Sequence, residues 1–117
     1  ACVNSNLKSI NLEWYDDKSL CIVLCSKGYP DEYKKNLEIK DLNKIKLSEN
    51  EFIFHAGTVI KNNKIFSNGG RVLNFVVKSK SFKHSRTSAT SLIKKLDWDN
   101  GFNRKDIGFK VIDNENY

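Results

Sequence analysis

Six consecutive apolar residues, Leu20-Cys21-Ile22-Val23-Leu24-Cys25, stand between Lys18-Ser19 and Ser26-Lys27. The run falls well short of the roughly 17–25 residues that a membrane-crossing helix needs. It has the length of a buried strand. Alternation places Leu20, Ile22 and Leu24 on one face and Cys21, Val23 and Cys25 on the other. Because both faces are apolar, residues 19–26 are predicted as a central strand. Lys27-Gly28-Tyr29-Pro30 then stops it. Gly28 admits a positive φ, and the single proline fixes the chain after Tyr29.

Further strand patterns follow. Leu12–Tyr15 and Leu37–Ile39 read as short strands, with an Asp16-Asp17 turn after the first and a polar loop over 41–50 after the second. Glu51–Ala56 reads as a strand with Phe52 and Phe54 on one face. Thr58–Lys61 and Lys64–Ser67 flank Asn62-Asn63, a hairpin signal that pairs Ile60 with Ile65 and Val59 with Phe66. After the turn Ser67-Asn68-Gly69-Gly70, the strand Arg71–Lys78 shows Leu73, Phe75 and Val77 on one face. Phe82–Leu96 is a helix: Ser85, Ala89, Leu92, Ile93 and Leu96 recur at helical spacing, Ser79 or Ser81 caps its start, and Lys94 and Lys95 suit its last turn. Ile107, Phe109 and Val111 alternate like a closing strand over 104–112. Strands, one long helix and a strand predict an α+β domain, a mainly antiparallel sheet with one long covering helix.

At 117 residues the chain is one domain. Residues 1–11, where Cys2, Val3, Leu7 and Ile10 are spaced like a helix end, are predicted as the tail of a connection from an upstream region. Residues 12–117 are predicted as the domain. Seven Phe, four Tyr and two Trp exclude disorder. Three cysteines without a CxxC pair and two isolated histidines argue against a zinc site or a disulfide framework, so free thiols and a cytoplasmic setting are expected. The net charge of +6 is spread among interleaved carboxylates, not gathered into a basic stripe with aromatics. A basic nucleic-acid-binding or interaction module is the alternative class, with no specific nucleic acid and no membrane expected as partners.

No catalytic set and no metal set emerge from spacing. Three glycine-centred corners carry the candidate binding residues. In the first, Gly69 and Gly70 let a ligand approach backbone N–H groups, and Arg71 opens a strand. Strict alternation places Arg71 on the face of Leu73, Phe75 and Val77, at the rim. Its planar fork suits either a carboxylate within the chain or a phosphate. The second corner is His55-Ala56-Gly57-Thr58, where a sheet-corner bulge is the simpler reading. The third is the turn with Lys27 and Tyr29. All three are expected to converge at one end of the sheet.

The stretches CIVLCSKGYPDEYKKN (21–36), FHAGTVIKNNKIFSNGGRVL (54–73) and NRKDIGFKVI (103–112) resemble, in order and spacing, the C-terminal domain of phosphoribosylamine–glycine ligase, an ATP-grasp family also called glycinamide ribonucleotide synthetase. The resemblance implies a domain that closes the substrate cleft of an enzyme of de novo purine synthesis. That enzyme joins glycine to 5-phosphoribosylamine through an acyl phosphate, with ATP going to ADP and phosphate. ATP and Mg²⁺ (or Mn²⁺) belong to the full-length enzyme and are not bound by this domain alone. Its partners are the ATP-grasp and N-terminal domains and the small-molecule substrates, and the isolated fragment is expected to be inactive. The corner residues Arg71, Gly69, Gly70, His55, Gly57, Thr58, Lys27 and Tyr29 become substrate-binding candidates. Asn36 stands where the family usually has glycine, and asparagine tolerates a positive φ there.

Overall fold

The computed structural model describes residues 1–114; the end of the predicted 12–117 domain lies outside the described residues. In chain order the elements are β1 (Lys18–Ser26), β2 (Glu51–His55), β3 (Thr58–Lys61), β4 (Lys64–Ser67), β5 (Arg71–Ser79), α1 (Phe82–Leu96), β6 (Gly101–Phe102) and α2 (Phe109–Asn114). An antiparallel sheet runs in the order β2-β5-β1-β6, and β3 pairs with β4 in a separate hairpin.

The alternating apolar pattern forms the core. Leu20, Ile22 and Leu24 of β1 lie beside Val77, Phe75 and Leu73 of β5, and all six are buried. The helix α1 packs on these two strands with Ser85, Ala89, Leu92 and Leu96 buried. Each large apolar side chain removed from water in this way contributes about 1.5–3 kcal/mol. Ser81 caps α1 by accepting the His84 N–H at 3.1 Å. The buried Ser85 hydroxyl is satisfied by Ser79 at 2.7 Å.

The hairpin has the predicted register, Ile60 with Ile65 and Val59 with Phe66. Its turn residues Asn62 and Asn63 both take positive φ, 49° and 59°, the geometry a two-residue turn needs to match strand twist. Residues 37–39 tie the hairpin to the end of α1: Ile39 N–H donates to Ile65 at 2.8 Å, and Trp98 Nε1 donates to the Glu38 carbonyl at 3.0 Å.

Four expectations are corrected. First, β1 is central only at its end, where Cys25 and Ser26 face β6; β5 is the strand flanked along its length. Cys21 is exposed and Val23 half-buried, because apolar character does not by itself guarantee cover. Second, Leu12–Tyr15 is irregular and exposed, with no strand paired to it among the described residues. Third, residues 1–11 contain a single 3₁₀ turn, Leu7–Ser9, and no α-helix end. Fourth, the closing segment is not a strand. Arg104 forks onto Asp106 two residues on, at 2.9 and 2.6 Å, and Gly108 takes a φ of 77°. These turns break the alternation, and α2 follows with Ile112 buried while Phe109 and Val111 stay exposed.

Candidate functional site

Antiparallel pairing brings the C-terminal ends of β1 and β2 to the N-terminal end of β5, so the three glycine corners share one end of the sheet. Their contacts are direct. Ser26 closes on the Gly69-Gly70 turn twice: its N–H donates to the Gly70 carbonyl at 2.8 Å, and its hydroxyl donates to the Gly69 carbonyl at 2.9 Å. Gly57 N–H donates to the Arg71 carbonyl at 2.9 Å, and Asn68 N–H donates to the Gly57 carbonyl at 2.7 Å. The Tyr29 ring lies where a Gly70 Cβ would stand. Tyr29 also packs edge-on against Tyr33, with ring centroids 6.1 Å apart.

The carbonyls of Gly69, Gly70 and Arg71 therefore point into the protein. The N–H groups of Gly69 and Gly70 have no partner among the described residues. Gly70 is buried beside the Tyr29 ring, so the half-buried Gly69 is the more open of the two. Arg71 stands beside them, exposed, with no carboxylate partner among the described residues. This removes the internal ion pair as an account of its charge.

Arg71 is not on the face that alternation predicts. Leu24 pairs with Leu73, but Cys25 pairs with Arg71, so Val72 is an extra residue and the strand bulges. The bulge turns Arg71 onto the face of Cys25, away from Leu73 and the helix. Burial pushes the Cys25 thiol pKa up, and the Arg71 guanidinium partly offsets that. Such a thiol is a packing group, not a nucleophile.

His55 and Thr58 form a local pair, His55 Nδ1 to Thr58 Oγ1 at 2.9 Å, across the Ala56-Gly57 kink. Lys27 stands one residue past Ser26. With Ser26, Glu32, Tyr33, Lys34, Leu37 and Asn100 it lines an adjoining cleft of about 480 Å³, not the Gly-Gly-Arg corner itself. Ser26 was not singled out by sequence, although its signal was a polar residue closing an apolar run. Asn36 adopts a φ of 57°, and its side chain accepts from Lys61 Nζ at 2.9 Å, so asparagine supports the backbone turn. Among the described residues no cluster of three or more His, Cys, Asp or Glu side chains is placed to hold a metal ion, and no helix is long and apolar enough to cross a membrane.

Gly57 is enclosed by backbone from the other corner. An added Cβ would meet the Arg71 carbonyl oxygen at 2.6 Å and the Gly69 Cα at 2.9 Å, both backbone atoms that cannot swing aside. Gly57→Ala is expected to cost about 1–3 kcal/mol in urea unfolding. Unchanged stability would show that the corners are looser than these distances.

The family model for the phosphoribosylglycinamide synthetase C domain matches residues 19–110. This chain belongs to that family. The match takes in every candidate residue above. The chain is 42% identical over 92% of its length to the phosphoribosylamine–glycine ligase of Caldanaerobacter subterraneus, of which it covers 25%. It is 36% identical over 98% of its length to the ligase of Brucella melitensis, of which it covers 27%. It thus spans about a quarter of the curated relatives it matches. A crystal structure of phosphoribosylamine–glycine ligase from Thermotoga maritima is similar over 77% of this chain and 22% of its own, with a TM-score of 0.63 at 33% identity.

Proposed function

We propose that this synthetase C domain completes a phosphoribosylamine–glycine ligase by closing its substrate cleft, with the Gly69-Gly70-Arg71 corner binding an anionic oxygen. The observation that carries this reading is the Arg71 guanidinium, with no carboxylate partner among the described residues, beside two amides that also lack a partner among them, in a corner held by Ser26 and Gly57. Phosphate oxygens of 5-phosphoribosylamine, or of the acyl phosphate formed from glycine, match that donor set. Tyr29 packs on the same corner, the His55–Thr58 pair spans the neighbouring kink, and Lys27 lines the adjoining cleft. ATP and Mg²⁺ or Mn²⁺ are assigned to the other domains of the enzyme. A cytoplasmic location goes with this reading.

The test is a domain swap. The Caldanaerobacter ligase, with its matched quarter replaced by this chain, is expected to make glycinamide ribonucleotide from glycine, 5-phosphoribosylamine and ATP. Its kcat/KM is expected within about tenfold of the parent. The 117-residue chain alone is expected to show no Mg²⁺-dependent ATP turnover. A folded but inactive swap, or ATP turnover by the isolated chain, would overturn the proposal.

A further inference from the structure

Along its fifteen residues α1 carries four cations, Lys83, Arg86, Lys94 and Lys95, and no carboxylate. The i, i+4 pairs of opposite charge that would stabilise a solvated helix are therefore absent from it. Arg86, Thr87, Thr90, Ser91 and Lys94 instead line a cleft of about 410 Å³, and Lys105, from the loop between β6 and α2, completes the lining. That volume falls in the range of small-molecule sites, about 300–1,000 Å³. Arg86 and Thr90 are half-buried, the other four exposed. None of the three cations forms an ion pair among the described residues. Asp106 is close enough to feel the charge of Arg86, but its oxygens already accept the Arg104 fork, which does more than Arg86 to hold its carboxyl low. Lys94 also borders a neighbouring cleft with Asp97 and Asp99, again without an ion pair. The Thr87 hydroxyl is spent on the Lys83 carbonyl at 3.0 Å, whereas the Thr90 and Ser91 side chains have no hydrogen-bond partner among the described residues.

We propose that this cleft binds a small ligand carrying two phosphoryl groups, at a site separate from the Gly69-Gly70-Arg71 corner. Each phosphoryl group carries about −1.5 to −2 charges near neutral pH. One such group leaves a cation of the cleft unmatched, and two about balance all three. Arg86 offers a planar fork to the first. Lys94 stands eight residues on, about 12 Å further along the helix axis, and with Lys105 it suits the second. Thr90 lies midway between Arg86 and Lys94 on the same stripe of the helix and adds a hydroxyl donor. No aromatic ring lines the cleft, so a base of single-stranded nucleic acid finds no stacking platform there. The two sites lie on different elements. The corner opens β5, whereas the cleft lies along α1, whose buried residues pack on β1 and β5.

Inorganic pyrophosphate is the probe, titrated into the ¹⁵N-labelled chain and followed by amide shifts. Saturable binding is expected, with a dissociation constant below about 1 mM at low salt and shifts over 86–94 and at Lys105. The same shifts and affinity are expected in Arg71→Ala, which removes the guanidinium of the other corner. Arg86→Ala with Lys94→Ala is expected to weaken binding at least about tenfold. The fold should survive that change, because neither side chain forms an ion pair among the described residues. Inorganic phosphate is expected to bind several-fold more weakly than pyrophosphate. Shifts confined to 69–71, shifts lost in Arg71→Ala, or unsaturable shifts at every exposed lysine would overturn the inference. So would equal affinity for phosphate and pyrophosphate. Tighter binding of a short single-stranded RNA over the same residues, falling steeply with salt, would overturn it too and make the face a nucleic-acid surface.

Discussion

Arg71→Ala in the domain-swapped ligase is expected to lower kcat/KM by roughly 10- to 100-fold, with the melting temperature of the domain unchanged. The magnitude is that of one lost charge-assisted hydrogen bond, about 1.5–3 kcal/mol. The unchanged stability follows from the structure: the guanidinium is exposed and pairs with no carboxylate among the described residues. Arg71→Lys keeps the charge but loses the planar fork, so it is expected to be impaired as well. Steady-state kinetics and thermal melting on one preparation decide the matter. Normal kinetics with reduced stability would make Arg71 a structural residue and remove the anion corner from the proposed function.

Phe75→Ala is expected to be the most destabilising single change considered. Phe75 is fully buried at the middle of β5, between Ile22 of β1 and Ile53 of β2, beneath α1. Removing a buried phenyl ring forfeits its transfer energy and leaves a cavity, about 3–5 kcal/mol together. Against a total of about 5–15 kcal/mol, that is a large share. The melting temperature should fall on the order of 10–20 °C. Phe54→Ala in the isolated chain is the matched control, because its ring already stands in water. A change within about 0.5 kcal/mol is expected there. Equal losses at the two positions would mean that the covered and open faces of the sheet are wrongly assigned.

Local pattern was sufficient for the elements whose partners are near in sequence or whose periodicity is long. The helix over 82–96 repeats its apolar positions through four turns and carries its cap at Ser81. The hairpin is set by Asn62-Asn63, which alone among its residues must take positive φ. The synthetase C-domain likeness also lay in the linear order of three stretches, and the family match covers all of them except the last residues of the third.

Pairing between distant segments is not written in local pattern. Val72 becomes an extra residue only because Leu24 and Cys25 meet β5 in a shifted register. That shift decides which face Arg71 takes. Ser26 is a polar residue after a strand until Gly69 and Gly70, more than forty positions away, bring their carbonyls to it. Ile107, Phe109 and Val111 alternate as a strand would, yet the Arg104–Asp106 fork and Gly108 turn the chain into α2. The apolar content of β1 likewise predicts cover on both faces, while α1 supplies it on one only. Composition sets what a segment can bury. Tertiary structure decides which of those surfaces meets a partner within the chain, because burial is a property of pairs of surfaces brought together by the fold.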